Sequence, residues 1–232
     1  MKLKDANIAN SIFPGLNDQY GIMLCGYEWG YAKADQEADQ SQSARVEFDT
    51  ETKVTFANKA PKYGDSALRW PYDNEIITWF RLWGHPLDRE QPGDFEKSII
   101  QTNWCRSQGH DMDGEAKKKI KMDEHKKNFL EHIEAFKPAI LFFFGSEMIK
   151  ALQRQDILKG FESVMGAHGR LVTKQKEGLG TRFVISFQKF EQCDVISLPH
   201  PSGSQGIRHD YIASFKDDIG GIISAYRSKR GI

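Results

Sequence analysis

Tyr20-Gly-Ile-Met-Leu-Cys-Gly-Tyr-Glu-Trp-Gly30 decides the fold: an apolar run stops at a glycine, presents an acid and a tryptophan, and reaches a second glycine. The apolar residues before Gly26 are too few for a helix, so the run predicts a buried strand. Glycines on either side of Glu28 let the chain turn sharply where a β-branched residue would clash. In an open α/β sheet, ligands bind at the carboxyl ends of the strands. The stretch therefore puts Glu28 at the mouth of a cleft, or leaves it as a solvated acid on a turn, and a partner elsewhere in the chain has to decide between the two.

Working outward, three more stretches read as strands that deliver a distinctive residue. Ser98-Ile-Ile-Gln-Thr-Asn103 ends on an asparagine before a polar loop at 104–109. Ala139-Ile-Leu-Phe-Phe-Phe-Gly145 runs into Ser146 as an N-cap and a helix over 147–155. Cys193-Asp-Val-Ile-Ser-Leu198 delivers Pro199-His-Pro-Ser-Gly203. A hairpin of 170–173 with 181–187 follows from their β-branched and aromatic content. Helices are predicted over 73–83, capped by Asp73 or Asn74, over 115–136, and over 206–227, while 160–180 reads as irregular. This alternation predicts a three-layer α/β/α fold with a mainly parallel central sheet of about four strands.

At 232 residues, 39% hydrophobic and 28% charged, the chain has enough apolar material for one domain with long loops. We read 1–19 as an N-terminal arm and 32–69 as a long insertion, whose part over 32–52 is polar and lacks apolar periodicity. Lysine plus arginine equals aspartate plus glutamate at 32 each, so no overall basic charge announces a nucleic acid, although a local basic strip balanced elsewhere remains compatible with one. The lysine-rich run 117–127 reads as a solvated helix face or such a strip. Cys25, Cys105 and Cys193 are widely spaced and form no CxxC pair, which argues against a disulfide framework, a structural zinc or an iron–sulfur site. No stretch approaches the roughly 20 apolar residues of a membrane span, and no signal-peptide core follows Met1. The expectation is a cytoplasmic monomer without a membrane partner, metal or cofactor.

Glu28, Asn103 and His200 thus stand at three strand ends, which a parallel sheet brings to one edge. The order of motifs resembles the uracil-DNA glycosylase superfamily: Gly26-Tyr-Glu-Trp-Gly30 after a first strand, Thr102-Asn103 at the end of a middle strand, Leu141-Phe-Phe-Phe-Gly145 before a helix, and His200-Pro-Ser-Gly203 before the last helix. The resemblance spans about 20–227 in short islands. It departs from the family at Trp29, where a proline is frequent, in the long interval between the first and last motifs, and in lacking cysteines placed for the cluster of some branches.

The resemblance implies hydrolysis of the N-glycosidic bond of uracil, or of a related damaged base, in DNA, with the base flipped into a pocket. Glu28 would stabilise the sugar cation and orient the attacking water, and His200 would donate to the base oxygen as it gains negative charge. Asn103 would match the base edge with its paired donor and acceptor. Trp29, Tyr31 or Trp70 would stack on the base. Ser202, Gly203 and Arg208 would hold DNA phosphates before the last helix. Each residue also has an ordinary structural use: Glu28 as a surface acid, Asn103 as a strand-end turn residue, His200 as a loop histidine. Two further readings stay open, a catalytically silent member that binds nucleic acid or protein, and an unrelated α/β hydrolase acting on a small nucleoside or glycoside.

Overall fold

The run that opened the sequence forms strand β1 (Ile22–Gly26), buried along its whole length. The computed structural model describes residues 6–30, 53–109, 116–179, 182–202, 204 and 206–232. Trp29–Gly30 forms the short strand β2, which pairs with β4 (Gln108–Gly109) as a two-stranded ribbon. The main sheet holds β1, β3 (Ile99–Asn103), β5 (Ile140–Phe144), β6 (Val172–Lys174), β7 (Ile185–Lys189) and β8 (Asp194–Leu198). Its order is β3-β1-β5-β8-β7-β6. The first four strands are mutually parallel, and the β6–β7 hairpin joins β8 antiparallel.

The sheet thus has six strands where about four were expected. The four parallel strands are the ones delivering Glu28, Asn103, Ser146 and His200, and the anticipated hairpin extends the same sheet beyond β8. Chain order reverses at β1: β3 lies on one side of it, β5 and β8 on the other. In open α/β sheets such a reversal leaves a crevice at the carboxyl ends of the two strands that flank it, here β1 and β5.

Strand residues alternate between two apolar layers because successive side chains point to opposite faces. Met23, Cys25, Leu141, Phe143 and Val195 join the core beneath α5 (Asp123–Phe136), α6 (Ser146–Leu152) and α7 (Gln155–Met165). Ile22, Leu24, Phe142, Phe144, Ile196 and Leu198 join the core beneath α2 (Pro71–Leu82), α8 (His209–Ala213) and α9 (Gly221–Arg230). Both faces are covered, which is why the parallel strands read as continuous apolar runs. The edge strand β3 is covered in turn by the N-terminal arm, where Ile8 bridges Thr102 and the Ala9 amide donates to the Gln101 carbonyl at 3.0 Å.

Several boundaries differ from the sequence reading. The helix expected over 115–136 breaks into α4 (Ala116–Lys119) and α5, since the Trp104 indole donates to the Ile120 carbonyl at 3.2 Å and takes it from a continuing helix. The helix expected over 206–227 is α8, a π turn (Lys216–Gly220) and α9; at Gly220 a side chain would meet the Trp83 carbonyl, so the glycine permits the close crossing there. Part of the region read as irregular is α7, with Ile157, Phe161 and Met165 buried on one stripe. Gly145, at φ 135°, takes the N-cap position expected for Ser146, which opens α6. Helix α2 begins at Pro71, before the expected caps: Asp73 is buried in an ion pair, and Asn74 donates to the Leu68 carbonyl. Of the expected insertion, 32–52 lies outside the described residues, while Val54, Phe56 and Ala57 pack into the core and Ala60–Tyr63 forms α1; the short helix α3 (Asp94–Lys97) leads into β3. Among the described residues, no helix is long and apolar enough to cross a membrane.

Candidate functional site

The floor of the crevice is the last residue of β1. Gly26 follows Ile22 and Leu24 on the α2 face, and a Cβ there would collide with the Asn103 carboxamide and stand 3.1 Å from the Tyr72 hydroxyl. Glycine is required because two polar side chains already occupy that space. Register explains their meeting: Gly26 pairs with Asn103 across β1 and β3, and Pro71 starts α2 so that Tyr72 lies in its first turn. With its amide oriented by its hydrogen bonds, Asn103 donates to the Thr102 carbonyl at 3.1 Å and accepts from the Trp29 amide at 3.2 Å. Among the described residues, these leave one donor hydrogen and one acceptor lone pair of the carboxamide unused.

His200, two residues past β8, reaches the same place. Its ring lies 5.3 Å from the Tyr72 ring, and the Phe144 edge meets Tyr72 at 5.7 Å. Burial holds the His200 pKa below the ordinary imidazole value, which favours a neutral ring carrying one N–H donor. The ends of β1, β3 and β8 therefore gather around one phenol.

Beneath this edge, on the same face of β3, lies a buried polar cluster. Lys59 Nζ pairs with Asp73 Oδ2 at 2.6 Å and donates to Gln101 Oε1, and Gln101 Nε2 donates to Asp73 Oδ1 at 3.4 Å. Burial lowers the Lys59 pKa while the Asp73 charge raises it, and burial followed by Asp73 pushes the Tyr63 phenol up to about 12. Lys59 also lies 5.1 Å from the Phe56 ring centre and 5.5 Å from that of Trp70. Trp70, at the N-cap of α2, remains 37% exposed although the Tyr63 ring packs on it at 5.4 Å.

Glu28 takes a different direction. Its Oε2 accepts from Ser107 Oγ at 2.8 Å and from Lys119 Nζ at 2.9 Å, while among the described residues Oε1 has only a longer contact, 3.3 Å, to the same ammonium. The carboxylate thus sits in a polar clamp between the loop after β3 and α4. Trp29 is turned toward the arm, where its indole donates to Asn7 Oδ1 at 2.6 Å. The structure brings Asn103 and His200 together through Tyr72, seats the Glu28 carboxylate against Lys119, and holds Trp29 in a structural contact.

In the loop after β8, Ser202 Oγ lies 3.5 Å from His200 Nδ1, and Gly203 lies outside the described residues, as does Tyr31. Arg208 is exposed and paired to Asp210, and His209 Nε2 meets Glu75 Oε1 at 2.9 Å. The following helix α8 has five residues, so its dipole is far weaker than that of the long helix expected there. Among the described residues, no three His, Cys, Asp or Glu side chains gather to hold a metal ion.

Sequence reasoning missed Tyr72, Lys59, Gln101, Ser107 and Lys119. Pro71 was the available signal for the first: proline favours the opening position of a helix, which places Tyr72 and Asp73 in the first turn facing the sheet. Ser107 and Lys119 carry no local signal, because their role depends on where a loop and a four-residue helix dock. No family model matches this chain, and no curated protein matches it.

Proposed function

We propose that this chain binds a nucleobase at the carboxyl edge of its parallel strands and hydrolyses the N-glycosidic bond of uracil, or of a related damaged base, in DNA. The observation that carries the reading is the gathering of Gly26, Asn103 and His200 around Tyr72 where the strand order reverses. Bond cleavage leaves positive charge on the sugar and negative charge on the base. A neutral His200 donates to the base oxygen, and the free donor and acceptor of Asn103 read its edge. Glu28 stabilises the sugar cation and orients water through Oε1, the oxygen that Ser107 leaves alone. Trp70 offers a stacking face, and Ser202 and Arg208 lie beyond His200 where a phosphate backbone would run.

A second reading has its own observation. Because both Glu28 oxygens contact Lys119, the acid is equally well placed as a structural clamp, which favours a catalytically silent module that binds through the same cleft.

Single-turnover cleavage of oligonucleotides carrying uracil opposite guanine, opposite adenine or unpaired separates the two. The glycosylase reading expects abasic product from the wild type and a loss of at least about 100-fold in Glu28→Gln and in His200→Ala. A folded protein that yields no product yet binds DNA with steep salt dependence selects the silent module. Absence of binding sinks both.

A further inference from the structure

Within the lysine-rich run 117–127, Lys119 turns its ammonium in to Glu28. Its Nζ lies 2.9 Å from Oε2 and 3.3 Å from Oε1, and its side chain is 31% exposed where that of the acid is 6% exposed. A primary amine thus stands within one hydrogen bond of the oxygen assigned to the sugar, and part of its side chain is open to solvent. Lys59, beneath the same edge, is shut in by contrast: its side chain is 2% exposed and its ammonium is committed to Asp73 and Gln101. Two further contacts let Lys119 move while its surroundings stay. Ser107 Oγ donates to Oε2 at 2.8 Å, so the carboxylate keeps a hydrogen bond when the ammonium departs. Trp104 holds the Ile120 carbonyl at 3.2 Å, which fixes the backbone from which the flexible lysine stem reaches.

We propose that Lys119 is the nucleophile of a second activity, cleavage of the DNA strand at the abasic site that base removal leaves. The inference rests on the glycosylase reading, because that reading is what places the sugar against Glu28. Loss of the base leaves a hemiacetal at C1′, which opens to an aldehyde. The Lys119 ammonium passes a proton to Glu28 along their hydrogen bond, and the free amine adds to C1′. The carbinolamine takes that proton back and loses water, leaving a protonated imine between Nζ and C1′. The imine acidifies C2′: Glu28, again a carboxylate, accepts the C2′ proton, a double bond forms between C2′ and C3′, and the C3′–O bond breaks with the phosphate as leaving group. Water then hydrolyses the imine, which returns the lysine and frees an unsaturated aldehyde on the cut strand.

The test supplies the abasic site ready-made, on an oligonucleotide whose uracil another enzyme has already removed. Borohydride reduces an imine to a stable amine, so it is expected to couple the wild type covalently to this oligonucleotide, and not to one whose abasic sugar has first been reduced to the alcohol. Without borohydride, the wild type is expected to cut the strand on the 3′ side of the site. Lys119→Arg keeps a cation against Glu28 and has no primary amine, so we expect it to lose both the coupling and the cut. Peptide mapping of the wild-type adduct should find the sugar on Lys119, which keeps the inference testable even if the arginine variant folds poorly. Coupling that survives in a folded Lys119→Arg, or an adduct mapped to another residue, overturns the inference. A wild type that releases uracil yet neither couples nor cuts overturns it and leaves the glycosylase reading standing. Coupling through Lys119 by a wild type that releases no uracil upholds the lysine chemistry and strikes the glycosylase reading, and a wild type that does neither removes both.

Discussion

At the scale of single residues, the crevice rests on a buried charge pair. Lys59 and Asp73 are 3% and 5% exposed, and Gln101 satisfies both of them, so each charge depends on the other. Removing one partner of such a pair leaves the other unpaired in a low-dielectric interior, at a cost of about 3–5 kcal/mol, whereas removing both together is far less harmful. Lys59→Met is therefore expected to lower stability by about that amount in urea denaturation, and Lys59→Met combined with Asp73→Leu to recover a large part of it. Equal losses in the single and double variants would mean that the pair is not coupled. The same substitution removes the cation from beside Trp70, so the single variant also tests whether Trp70 holds its pose without Lys59.

At the scale of elements, two helices meet through a missing side chain. A Cβ on Gly160 of α7 would stand 2.8 Å from Leu130 Cδ1 on α5, so the glycine sets how closely the two pack. Gly160→Ala gains about 1 kcal/mol of helix propensity and requires only a flexible leucine tip to move, so its net effect should be near zero. Gly160→Leu forces the helices apart and should cost about 1–3 kcal/mol, read as a lower denaturation midpoint that Leu130→Ala partly restores. This glycine also shows where sequence reading failed. It looked like a breaker, and 160–180 was read as irregular, because close packing and chain reversal leave the same residue in the sequence. Strands β1, β3, β5 and β8 were legible since each is a short, largely apolar run ended by glycine, a polar residue or proline, and the strand-end residues Asn103 and His200 followed from them. Tyr72 and the Lys59 cluster were not, because their importance comes from contacts across the sheet edge that local pattern cannot encode. The helix over 115–136 was read as one piece for the same reason: Trp104, which takes the Ile120 carbonyl, lies on another element.

At the scale of the whole molecule, buried histidines set the acid limit of the fold. His132 is 1% exposed on α5, its Nδ1 donates to the Asn128 carbonyl at 2.6 Å, and burial lowers its pKa from 6.5 to about 4, against smaller upward contributions from the Asn128 carbonyl and Glu131. His85, His125 and His200 are shifted the same way, burial again being the first cause. Between these folded values and the ordinary one, the unfolded chain binds more protons than the native state, so stability must rise with pH. Descending from neutral, the loss begins near pH 6.5 and runs to about pH 4 for His132, where it amounts to about 3 kcal/mol from that residue. Denaturation at pH 7.5, 6 and 5 should show a midpoint that falls at each step, and His132→Leu should flatten the slope, lying closer to the wild type at pH 5 than at pH 7.5. A wild-type profile flat across that window would mean that these imidazoles are not kept neutral by burial. Because His200 shares the shift, the cleft and the core lose their neutral imidazoles in the same direction. Protonation leaves His200 with two N–H donors in place of one, so acid alters the charge of the cleft without removing its donor.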